Sequence, residues 1–233
     1  MLQGRYTTRR RTVLLGTAAS IAALMAGEVA KIPFALAQTA EKPRFFSAEE
    51  LAFVTAMVDR LIPSDEVGPG AVELGVPYFI DTQLMTEYGA GGIWYMTGPF
   101  VPSSAPEFGY QLPFTPQQIY RQGIPAAAAA IKNKFGKALQ GLVASDQDAA
   151  LLALQTGQLD MSPVPASAFF SQVLNDTKQG YFADPIYGGN KDMGAWKMIG
   201  FPGARASYLD WTDRDEKYPF PPVSITDLGG QPA

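Results

Sequence analysis

The sequence predicts a mainly α-helical protein: a small helical bundle with long irregular loops rich in glycine, proline and aromatic residues, and an extended C-terminal tail. Three observations carry this expectation. Apolar residues recur at helical spacing in several capped segments. Runs with the two-residue alternation of a strand are scarce. The stretches between helices are dense in Gly and Pro, and also in Phe, Tyr and Trp. An apolar content of 47% beside a charged content of 17% describes a globular chain, and 233 residues suffice for one sizeable core.

The first helix lies in "FSAEELAFVTAMVDRLIPSD", where Ser47 stands as N-cap with Glu50 three positions on, a capping box. Leu51, Val54, Met57, Val58 and Leu61 then form one apolar stripe, which Pro63 stops. A Gly/Pro turn in "GPGAVELGVPYFIDTQL" leads to a second helix around Pro77 to Leu84. From Gly89 to Pro116 periodic signals are few, and the segment, which contains "GAGGIWYMTGPF", reads as an ordered but irregular excursion. Helix returns at "TPQQIYRQGIPAAAAAIKNKF", with Thr115 as N-cap and Pro116 at the first helical position, where its missing N–H is harmless. A capping signal at the head of "SDQDAALLALQTG" starts another helix, which Gly157 ends. "PASAFFSQVLNDTKQG" supplies the last helix, ending at Gly180. From there to Ala233 the pattern is extended, and a tail this long without periodicity is expected to drape over its own bundle or a partner.

The first thirty-seven residues read as an export signal. A basic start with Arg5, Arg9, Arg10 and Arg11 precedes an apolar, Ala-rich run from Val13 to Met25. Ala35-Leu36-Ala37 then offers the small-x-small pattern of a cleavage site. Arg10 and Arg11, followed by Thr12, Val13 and Leu14, match the twin-arginine pattern. The apolar run is shorter than the roughly 20 residues needed to span a bilayer, so cleavage after Ala37 is expected rather than anchoring. Removal would take away five basic residues and one acidic one, leaving 13 basic against 21 acidic. The expected organisation is a signal peptide over 1–37, a helical domain over 38–208 and an extended tail over 209–233.

With 18 basic and 22 acidic residues, the chain lacks the basic stripe that nucleic-acid binding needs. It also has no cysteine and no histidine. Disulfides, thiolate nucleophiles, Cys-X-X-Cys-His haem attachment, iron–sulfur clusters and Cys/His zinc sites are therefore excluded. Carboxylates, Lys and Tyr remain available for catalysis. Asp59, Asp65, Glu66 and Asp81 could form an acid/base group, or serve as solvated charges and caps. Gly70 in "SDEVGPGA" could present backbone N–H groups to an anion, or simply turn the chain. Asp184, Asn190 and Asp192 offer oxygen ligands without the alternating spacing of an EF-hand loop.

Two blocks, "GGIWYMTGPF" and "GYFADPIYGGN…GAWKMIGFPG", cluster large aromatics among glycines. Either they close the bundle's own core, or they present aromatic anchors to a partner. With 14 Phe, 10 Tyr and 3 Trp, many outside the helical segments, the interface is the preferred alternative. The candidate contacts are Trp94, Tyr95, Tyr181, Phe182, Asp184, Tyr187 and Trp196.

The blocks "FFSAEELAFVTAMVDRLIPSDEVGPGAVELGVPYFID" and "FFSQVLNDTKQGYFADPIYGGNKDMGAWKMIGFPG" resemble the gluconate 2-dehydrogenase subunit 3 family, over about Phe45 to Pro202. The resemblance implies a non-catalytic small subunit of a membrane-associated sugar or sugar-acid dehydrogenase. Its implied partners are a large GMC-type flavoprotein holding FAD and a multi-haem cytochrome c, with membrane contact through the complex alone. The small subunit would bear the twin-arginine signal on which the flavoprotein leaves the cell, which suits a folded-cargo signal on a chain with no evident cofactor ligand. No catalytic, cofactor or metal residue is expected in this chain. The alternatives are a carboxylate- or Tyr-dependent periplasmic enzyme, or a sugar-binding module using Trp94 and Trp196 as stacking platforms.

Overall fold

The computed structural model describes residues 42–228 apart from 206, 208 and 217. The expected signal, with Arg10, Arg11, Ala35 and Ala37, lies outside the described residues, as do the domain boundary at 208 and the last five residues of the tail.

Eight helices and no strand occur among the described residues: α1 (Ala48–Leu61), α2 (Val76–Gln83), α3 (Glu87–Ala90), α4 (Pro116–Phe135), α5 (Ala144–Gln155), α6 (Ala166–Phe182), α7 (Gly194–Ile199) and α8 (Ile225–Leu228). The mainly helical class thus stands. The capping box of α1 forms as its sequence requires: the Glu50 amide donates to Ser47 Oγ at 3.1 Å, and the Ser47 amide to Glu50 Oε2 at 2.8 Å. Phe53, Val54, Met57 and Val58 carry its buried face. Thr115 and Gln118 make the same reciprocal pair at the head of α4. None of the described helices is long and apolar enough to cross a membrane.

Helix α6 is the hub, packing on α1, α2, α4, α5 and α7. Its Phe169, Phe170 and Val173 meet Ile119, Tyr120, Ile124 and Ile131 of α4 in the core. The two helices approach closely because Gly123 has no side chain, and a Cβ there would enter the Phe169 ring.

Three expectations need correction. Helix α5 begins at Ala144, so the capping signal fails: Ser145 lies inside the helix, and Val143 is an N-cap without a side-chain bond. Docking sets this start instead, since buried Leu139 anchors the preceding turn and its carbonyl accepts the Gln147 side-chain amide at 3.0 Å. Helix α6 continues past Gly180 to Phe182. The region read as extended also contains α7 and α8, whose six and four residues are too short to show a period. Asn190 supports α7 by accepting the Ala195 amide at 2.9 Å and donating to the Ala183 carbonyl at 2.9 Å.

Buried carboxylates fasten both ends of this domain. Asp81 accepts the amides of Arg44, Phe45 and Phe46 at 2.6, 3.0 and 2.8 Å. Arg121 reinforces that segment, stacking its guanidinium 3.9 Å over the Phe45 ring and donating to the Phe45 carbonyl. At the other end Asp184 accepts the Ser224 hydroxyl at 2.6 Å and the Ile225 amide at 2.9 Å. Gly203, at φ 75°, lets the chain run against Val223, whose carbonyl takes the Ala204 amide at 2.7 Å. The tail is therefore fastened to its own bundle around Val223 to Ile225.

Candidate functional site

The stretch "GYFADPIYGGN" divides into an inner and an outer set. Tyr181, only 2% exposed on the last turn of α6, donates its hydroxyl to the Pro69 carbonyl at 2.7 Å. Burial raises its pKa, and the charges of Asp65 and Glu73 raise it further. Trp196 of α7 is 6% exposed and donates its indole N–H to the Phe182 carbonyl at 2.9 Å. Asp184 is buried beneath the tail. Burial alone would raise its pKa, yet the Ser224 hydroxyl and the Ile225 and Ile186 amides hold it below the usual carboxylate value. These three residues, expected at a partner surface, are inside the fold with their polar atoms satisfied.

Phe182 and Tyr187 stay outside, 43% and 54% exposed. Ile186, Phe201, Phe220 and Ile225 are exposed as well. They belong to one neighbourhood: Ile225 binds Asp184 beside Ile186, Phe201 packs edge-on to Trp196 at 5.1 Å, and Phe220 lines the same hollow as Trp196 and Phe201. The result is an aromatic and aliphatic collar standing on a rigid, hydrogen-bonded base. Such side chains lose little freedom on docking.

The second aromatic block builds a different surface. Trp94 is half-buried, Tyr95 is 85% exposed, and the Trp94 ring packs against Tyr110 at 4.9 Å and edge-on to Tyr88 at 5.9 Å. This aromatic wall faces α6 across a cleft of about 920 Å³. Behind the cleft sits Asp176, 2% exposed, which accepts the hydroxyls of Tyr88 and, at 2.8 Å, of Tyr120, and the Gln172 side-chain amide at 3.0 Å. Desolvation pushes the Asp176 pKa up, with the three donors opposing. Tyr88 and Tyr120 are raised too, by burial first and then by the Asp176 charge. Burial also pushes Tyr110 up to about 12, although its bond to the Phe114 carbonyl opposes this. The tyrosines therefore stay protonated at neutral pH.

Sequence reasoning missed this cluster, although a signal existed. Ser167, Ser171, Asn175 and Gln179 recur every four residues, a polar stripe along a helix whose opposite face is buried. The carboxylates considered for acid/base work do not form a group of that kind. Asp81 is occupied by three backbone amides, Asp65 holds its own turn through the Val67 and Gly68 amides, and Asp59 and Glu66 are exposed. Gly70 takes part in a turn, its carbonyl accepting the Leu74 amide, and no helix starts there. Among the described residues no group of three or more acidic side chains is arranged to hold a metal ion, and the oxygens of Asp184 and Asn190 are engaged by the chain itself.

The family model described as Gluconate 2-dehydrogenase subunit 3 matches residues 48–203, more than half of the chain and all of both aromatic blocks. A search of curated proteins and a search of solved structures each find no match.

Proposed function

The chain belongs to the gluconate 2-dehydrogenase subunit 3 family, and from that premise we propose that it is the non-catalytic small subunit of a periplasmic, FAD-dependent sugar or sugar-acid dehydrogenase, gluconate 2-dehydrogenase first among them. It assists folding of a GMC-type flavoprotein subunit and carries it through the twin-arginine pathway. FAD sits on that subunit, haem c on a multi-haem cytochrome partner, and the complex meets the membrane through its partners. The observation that carries this reading is the family match, spanning a chain that has no histidine and no cysteine. The collar around Phe182 and Tyr187 supports it, since exposed aromatics on a rigid base are what a partner's surface pocket engages.

Export provides the test. With both Arg10 and Arg11 replaced by Lys, flavoprotein and dehydrogenase activity are expected to remain in the cytoplasm, while the unaltered chain brings both to the periplasm. Dehydrogenase activity that reaches the periplasm without the arginine pair would overturn the carrier role. Purification of the chain without any flavoprotein, from cells that produce both, would overturn the subunit role.

A further inference from the structure

We propose that the cleft between α6 and the aromatic wall of residues 91–114 binds an uncharged polyhydroxylated small molecule, a neutral sugar or alditol. Its volume of about 920 Å³ falls in the range of small-molecule sites. One side is the stripe of Ser167, Ser171, Asn175 and Gln179, all lining the cleft. Hydroxyl and carboxamide groups both donate and accept, which is what a row of ligand hydroxyls requires. The other side is the Trp94 and Tyr110 pair, packed together at 4.9 Å, an aromatic surface of the kind that the C–H groups of a sugar ring pack on. An amphipathic wall and a neutral polar wall thus meet across one space.

The lining also says what the ligand lacks. None of the described residues lining the cleft is charged. A carboxylate or phosphate would give up hydration there without a counter-charge, so an anionic sugar is disfavoured against its neutral counterpart. The floor is fixed in advance. Gln172 donates to Tyr88 Oη at 2.6 Å and to Asp176, and Asp176 also holds Tyr88 and Tyr120, so the polar base of the cleft has a single arrangement. That preorganisation reduces the ordering cost on binding. None of its lining residues belongs to the collar around Phe182 and Tyr187.

The test uses the purified full chain, with D-glucose, D-sorbitol and gluconate titrated by calorimetry and followed by tryptophan fluorescence. At least one of the two neutral probes is expected to bind saturably, with Kd on the order of 1 mM. Gluconate is expected to bind at least about tenfold more weakly. Trp94→Ala and Asn175→Ala should each weaken the neutral probe by about fivefold or more, and Tyr187→Ala should leave it unchanged. Asn175 is exposed, so its truncation keeps the test open even if Trp94→Ala disturbs the excursion. Failure of both neutral probes to saturate by about 100 mM would overturn the proposal, as would equal affinity for gluconate, or binding unaltered in both cleft variants. Loss of flavoprotein co-elution from the cleft variants, with no sugar bound by the unaltered chain, would overturn it too and make the cleft a seat for the partner.

Discussion

The two aromatic blocks look alike as sequence and fold in opposite senses. In residues 180–201 two of the rings turn inward: Tyr181 and Trp196 are buried, and each hands its one polar hydrogen to a backbone carbonyl. In residues 91–114 they stay at the surface, with Trp94 half-buried, Tyr95 open to solvent and Tyr110 walling a cleft. Carbonyl bonds alone do not separate them, because Tyr110 also donates its hydroxyl to one, that of Phe114 at 2.6 Å. Tyr181 and Trp196 stand on α6 and α7, which pack on each other, whereas Trp94 and Tyr110 lie in the irregular excursion. Pro69 and Phe182 both end a turn or helix and leave an oxygen facing the ring that needs it. Glycine-framed aromatics therefore report a rigid setting for a ring, and not on which side of the surface the ring will lie.

The largest contrast is expected at Trp196. Trp196→Ala should destabilise the chain by about 4 kcal/mol, as for large aromatics removed from a core, whereas Trp94→Ala should cost about 1 kcal/mol through its edge contacts. Thermal denaturation of the two variants would measure this, and similar midpoints for both would erase the distinction.

A smaller effect is expected from the carboxylate clamping the tail to the first block. Asp184→Ala removes an acceptor for one hydroxyl and two amides and should cost about 2 kcal/mol. The folded pKa of Asp184 lies below its ordinary 3.8. Its contribution is accordingly complete above that ordinary value and is lost as pH falls through the lower, folded value. Acidification below about pH 4 should thus lower the protection of the amides of residues 223–228, measured against their intrinsic exchange rates at each pH, in the unaltered chain, and change it less in the Asp184→Ala chain, already released. Protection that does not fall on acidification of the unaltered chain would count against the clamp.

The smallest effect on stability belongs to the collar. Phe182→Ala and Tyr187→Ala should shift unfolding by no more than about 1 kcal/mol, because both side chains are only about half buried. The same changes should weaken the flavoprotein about thirtyfold if the collar is the docking surface. Gel filtration of the complex separates these outcomes, and intact co-elution with unchanged affinity in both variants would remove the collar from the interface.

Much of the scaffold was legible because its determinants are local. Ser47 with Glu50, and Thr115 with Pro116, act within one turn of the chain, so the starts of α1 and α4 stand where their sequence puts them. Helix α5 departs from its signal because a remote contact, Leu139 in the core, overrides a hydroxyl. The candidate sites were less legible. Nothing near Tyr181 in sequence names Pro69, which lies 112 residues away, and nothing near Asp176 names Tyr88, 88 residues away. Phe182 and Tyr187 stayed outside while their neighbours went in, a choice made by which face of the last α6 turn meets Pro69 and α7.

From the sequence alone come the helical class, the capped starts of α1 and α4, the absence of thiol and imidazole groups, and the family. Those follow from composition and from interactions a few residues long. Long-range packing made Asp184 the fastening of the tail, put Trp196 in the core and Trp94 in a wall, and set a polar stripe on α6 opposite an aromatic one. A buried polar atom must find a partner wherever the fold brings one, and for Asp184 and Trp196 that partner lies 40 and 14 positions along the chain, beyond the reach of local patterns.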